Sequence, residues 1–122
     1  MAKRKYQSEH ERMVSYCANW LREKYYSDIK VDLTNYTEKP EPIIWVASQE
    51  GHIPDITTTS MIFEVETADS INDEHTKDQW ILFATHAANN NIEFWVVVPK
   101  GSAYVAQSRL NQLGITAKIW EV

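Results

Sequence analysis

Apolar and polar residues alternate along residues 61–66: Met61, Phe63 and Val65 point one way, Ile62, Glu64 and Glu66 the other. A period of two predicts a strand with unlike faces. Elsewhere the spacing changes. Met13, Cys17, Trp20 and Leu21 recur every three to four residues and predict an amphipathic helix over 8–26. Ser8 reads as its N-cap, with Glu11 completing a capping box. Ile29, Val31 and Leu33 alternate with polar residues and predict a strand over 28–33, followed by a polar loop. Residues 43–47 read as a second strand too apolar to have a wet face. Residues 49–52 turn the chain into a short strand at Pro54-Asp55, where the missing proline N–H suits a strand start. A helix over 73–89, capped by Ser70 or Asn72, carries Thr76, Trp80, Phe83, Ala84 and Ala87 on its buried stripe. The most apolar strand, 92–98, belongs inside the sheet. A helix from Ser102 to Leu113, stopped by Gly114, leads into a last strand over 116–122. The expected order is α-β-β-β-β-α-β-α-β, an α/β fold.

Length and composition narrow this further. The 122 residues suffice for one domain around a single core, and 43% hydrophobic with 24% charged residues is a globular composition. No apolar run approaches the ~20 residues of a membrane span, and no signal-peptide core is present, so no membrane partner is expected. The lone cysteine, Cys17, allows no internal disulfide and falls on a helix stripe, which points to a buried thiol and a reducing cytoplasmic setting. A net charge of −5 argues against coating nucleic acid by charge alone. The clearest basic run, Lys3-Arg4-Lys5, lies in a segment, 1–7, expected to be a flexible tail.

The candidate chemistry lies at residues 55–66. Folding the segment about Thr59-Ser60 sets Thr57 opposite Ile62, Ile56 opposite Phe63 and Asp55 opposite Glu64. Opposed side chains share a face at roughly 4.5–5.5 Å, and Glu66 lies about 7 Å further along the strand. The turn lacks Gly or Asn, so a loop longer than two residues is expected. Carboxylates this close repel, and a hard divalent cation with oxygen ligands is the simplest group to sit between them. The competing reading is an edge hairpin with a solvated acidic face.

At these residues the chain resembles the PD-(D/E)xK nuclease superfamily. Pro54-Asp55, eight residues, then Glu64-Val65-Glu66 is similar to its motif, with glutamate at the place usually held by lysine. The resemblance implies a restriction-endonuclease-like fold, a mixed sheet of about five strands flanked by helices around an αβββαβ core. It implies Asp55, Glu64 and Glu66 as ligands of Mg2+ or Mn2+, with Glu9 of the first helix as a further ligand. It also implies Gln79 as a supporting residue, and Lys77 is the candidate to replace the missing lysine. His52 reads as a turn histidine in solvent, and His75 and His86 as solvated or half-buried helix residues, rather than as ligands. The implied activity is metal-dependent hydrolysis of phosphodiester bonds, with DNA as the expected partner, in a homodimer or as a subunit of a larger complex. The alternative is an inactive domain of the same fold serving as a binding or assembly module. No Gly-x-Ser-x-Gly elbow suggests a serine hydrolase, and a single cysteine with dispersed histidines does not suggest zinc.

Overall fold

The computed structural model of the chain describes residues 7–24 and 27–122. The expected basic tail, apart from Gln7, and the expected last two residues of the first helix lie outside them. In chain order the elements are α1 (Gln7–Glu23), β1 (Lys30–Val31), β2 (Ile43–Ile44), β3 (Gly51–His52), β4 (Ile56–Thr57) and β5 (Met61–Val65). They continue with α2 (Glu74–Asn90), β6 (Glu93–Val98), α3 (Ala103–Leu113) and β7 (Lys118–Glu121). The fold is α/β, with a five-stranded mixed sheet in the order β1-β4-β5-β6-β7. β1, β4 and β5 run antiparallel, while β5, β6 and β7 run parallel.

The alternation along β5 sorts its side chains between two cores. Met61, Phe63 and Val65 pack with Met13, Val14, Cys17 and Leu21 of α1. Ile62 packs on the opposite face with Trp80 and Phe83 of α2 and Ala106 and Leu110 of α3. Both crossovers, β5–α2–β6 and β6–α3–β7, advance in the same direction, and right-handed connections put both helices on one face. The result is three layers, with α1 alone on its side of the sheet.

Several expectations are corrected. The apolar run 43–47 is not a strand of the main sheet: only Ile43–Ile44 pairs, with Gly51–His52, in a separate two-stranded sheet. It also has a wet face, because Ile43 and Trp45 pack against the α2 side while Ile44 and Val46 are 48% and 87% exposed. Gly51 permits this hairpin, since a Cβ there would sit 2.8 Å from Ile44 Cγ1 and 2.9 Å from the Ile43 carbonyl oxygen. Ser8 lies within α1 rather than before it. The cap of α2 is Asp73, whose side chain accepts the His75 N–H, instead of Ser70 or Asn72.

The 55–66 hairpin takes the register implied by its symmetry, Ile56 with Phe63 and Thr57 with Ile62. Its loop is shorter than expected, because the Thr58 N–H donates to the Met61 carbonyl and leaves Thr59-Ser60 as the turn. The compensation comes from elsewhere in the chain. The Thr59 N–H donates to Asp28 at 2.5 Å, and hydrogen bonding from the Thr59 side chain, then from its backbone, holds the Asp28 carboxyl below its ordinary range.

Candidate functional site

β4 begins at Ile56, so Asp55, just before it, stands where β4 and β5 diverge. There it meets groups from both layers. From β5, the Val65 N–H donates to Asp55 Oδ2 at 2.7 Å, and the Asp55 N–H donates to Glu64 Oε1 at 3.3 Å. From α1, His10 Nε2 lies 3.2 Å from the same Oδ2. Asp55 and Glu64 are 7% and 1% exposed, so the pair is buried as well as adjacent. Glu64 shares Ile62's parity on β5 and therefore approaches from the α2 side, while His10 approaches from the α1 side. Removing two carboxylates from water is costly, which makes this corner of the sheet chemically distinct.

Glu66 turns elsewhere. Its N–H extends the parallel ladder to the Val97 carbonyl at 2.8 Å, and its side chain enters a cradle built by α2 and the turn before it. Oε1 accepts from Ser70 Oγ at 2.6 Å and Thr76 Oγ1 at 3.4 Å, and Oε2 accepts from Trp80 Nε1 at 3.1 Å. All four residues are buried. Thr76 and Trp80 are one turn apart on the apolar stripe of α2, so the period that forms the core also supplies these donors. Hydrogen-bond donors thus reach both oxygens of this carboxylate.

Gln79 is buried on α2, and its Oε1 has no hydrogen-bond partner among the described residues. Lys77 is half-buried on the same helix and makes no ion pair among them. Glu9 is half-buried and its side chain makes no hydrogen bond among the described residues, and its neighbour His10 is the α1 residue that reaches Asp55. His10 is the residue that sequence reasoning missed. The buried stripe of α1 is His10, Met13, Val14, Cys17, Ala18 and Leu21, with Trp20 at its border. Centring the stripe on Trp20 rotates it toward Glu9; tracing it through Val14 back one turn finds His10. Its Nδ1 is buried without a partner among the described residues.

Cys17 lies on that stripe and is fully buried, which together with the nearby Asp55 charge pushes its thiol up to about 12. Burial, with Asp55 nearby, also raises Asp32. His52 is half-buried rather than solvated, its ring 5.2 Å from that of His75 and 6.4 Å from that of Phe83. Burial, then the neighbouring His75, lowers its pKa.

Among the described residues, no three of His, Cys, Asp and Glu are grouped so as to hold a metal ion, and no helix is long and apolar enough to cross a membrane. Asp55 and Glu64 meet through the Asp55 backbone N–H, and a pair of carboxylates is a donor set suited to one class of cation. Mg2+ keeps several waters and takes one or two carboxylates plus substrate phosphate, whereas calcium requires a fuller oxygen cage and structural zinc four protein ligands. Compared with protein-family models, with curated proteins and with solved structures, the chain matches none.

Proposed function

We propose that this chain is a metal-dependent phosphodiesterase with a restriction-endonuclease-like core, acting on DNA, in which Asp55 and Glu64 hold Mg2+ or Mn2+. The observation that carries the reading is the buried apposition of Asp55 and Glu64, joined by the Asp55 N–H to Glu64 Oε1 contact of 3.3 Å. The element order supports it: α1, the β1-β4-β5 meander, α2 and the parallel β6 follow the αβββαβ pattern, with α3 and β7 added.

The bound ion would polarise the scissile phosphate and lower the pKa of a bound water. The chain's own groups prepare the site for it. Val65 N–H and His10 hold Asp55 Oδ2, and the Asp55 N–H orients Glu64, so neither carboxylate swings. Burial strengthens the field of both by excluding solvent. Lys77 is the group assigned to offset phosphate charge in place of the missing lysine. Glu66 becomes a strut between β5 and α2 rather than the group that takes the proton.

A second reading, a silent domain of the same fold serving as a binding or assembly module, is favoured by one observation. The position that lysine would occupy is spent on the Ser70, Thr76 and Trp80 cradle. Calorimetry with Mn2+, beside cleavage of plasmid and short duplex DNA in Mg2+, separates the two. Saturable binding and cleavage that both disappear in Asp55→Ala support the phosphodiesterase. No heat of binding at millimolar Mn2+ leaves only the silent domain.

A further inference from the structure

The sheet ends at β7, and among the described residues no strand pairs with its outer side. The Val122 N–H donates inward to the Val98 carbonyl, and the Val122 carbonyl accepts from the Lys100 N–H. In a parallel pair the N–H and C=O of one residue point to the same side, and sides alternate along the strand. Trp120 and Lys118 therefore bond inward, while Ile119 and Glu121 turn their backbone groups outward. Neither proline nor glycine interrupts residues 118–121, so this edge is a ready template for another strand.

The face beside that edge is aromatic. On the α1 side of the β6–β7 half, Val97 is buried in the α1 core, and Trp95 and Trp120 pack against it half-buried. Trp120 contacts Trp20 at 5.1 Å and Phe63 at 6.0 Å, and Phe63 stacks on Trp95 at 6.0 Å. Trp20 is 40% exposed, and Tyr16, one turn earlier on α1, is 54% exposed. Lys118 lies over the Trp95 ring at 5.4 Å and pairs with Glu93 at 2.7 Å, yet 56% of its side chain stays exposed and open to a further contact.

We propose that β7 and the adjoining Trp20–Trp120 face bind a second copy of this chain, joining two sheets edge to edge about a two-fold axis. The strand is self-complementary in that arrangement. A two-fold axis through antiparallel edges pairs residues of the same facing, and setting Ile119 against the partner's Ile119 makes an outward-bonding pair on the axis. Each Lys118 then stands opposite the partner's Trp120, a cation–π pair made twice by symmetry. The slipped alternative, Trp120 on the axis, sets Ile119 against Glu121 and mismatches both. A nucleic-acid strand fits this face less well, because it leaves the outward N–H and C=O row unused and meets a chain of net charge −5.

Sedimentation equilibrium over a micromolar-to-millimolar range, with hydrogen exchange followed by NMR, tests this. The expected result is twice the protomer mass at high concentration. The Ile119 and Glu121 amides should be protected at least tenfold more in the dimer than after dilution. Lys118→Glu should weaken self-association at least tenfold with an unchanged circular dichroism spectrum, and Trp20→Ala should do so to a smaller degree. A monomer at millimolar concentration overturns the proposal, as does a dimer whose Ile119 and Glu121 amides exchange as in the monomer. It also fails if those amides become protected only when a single-stranded oligonucleotide is added to monomeric protein. None of these outcomes depends on metal binding at Asp55.

Discussion

Glu66 shows how one position can be read for two tasks. As half of a Glu-x-Glu it reads as a ligand, yet both its oxygens accept hydrogen bonds from Ser70, Thr76 and Trp80. Glu66→Ala would leave those buried donors unpaired, and we expect a loss of about 3 kcal/mol in urea unfolding. Glu66→Gln keeps the shape but sets an amide N–H against a donor, with an expected loss of about 1–3 kcal/mol. If Glu66 were instead a metal ligand, Glu66→Gln would lower Mn2+ affinity with little change in stability, so measuring both separates the roles. Cys17 gives a second residue-scale prediction. With its thiol pushed up to about 12 and fully buried, it should resist thiol reagents at pH 8 in the folded state and react only in denaturant.

Among the elements, the β2–β3 hairpin is the one whose sequence pattern misleads most. Its apolar run suggests a buried central strand, but the segment lies on α2 and leaves Val46 in solvent. Its packing rests on Gly51, and Gly51→Ala should cost about 1–3 kcal/mol, because the added methyl meets the backbone of Ile43. The hairpin also couples to pH through His52, which packs edge-to-face on His75 of α2. His52 titrates below its ordinary value when folded, so the unfolded chain binds its proton first as pH falls. This contribution to stability is present above the unfolded pKa of about 6.5 and is lost as pH falls through the lower folded value. Thermal unfolding at pH 7 and pH 5 should show a decrease that is smaller in His52→Phe. In the main sheet, the Thr59-Ser60 turn is tighter than its residues suggest because Asp28 caps it from a distant loop.

For the whole molecule, the acidic corner lies where the two halves of the sheet meet. β4 approaches β5 antiparallel and β6 leaves it parallel, so the end of β5 carries Glu64 and Glu66 into different surroundings. One turns to the divergence with β4 and the other to α2. If Asp55 and Glu64 hold an ion, binding to the folded state alone must stabilise it: Mn2+ at 100 times its dissociation constant should add about 2.7 kcal/mol. The melting temperature should rise in the wild-type chain and stay constant in Asp55→Ala. Equal shifts in both would place the ion elsewhere.

Periodicity alone determined the helices, the β5 alternation and the Ile56–Phe63 register, because these depend on facing and spacing along one segment. It also put Asp55 beside Glu64, since a hairpin's symmetry carries that much. What only tertiary structure decided is which groups complete each carboxylate. His10 reaches Asp55 across 45 positions of chain, and Trp80 reaches Glu66 across 14, distances over which no local pattern speaks. A side chain's facing is a local property of the backbone, whereas its partner depends on how separate elements pack, and packing is settled by the whole core at once.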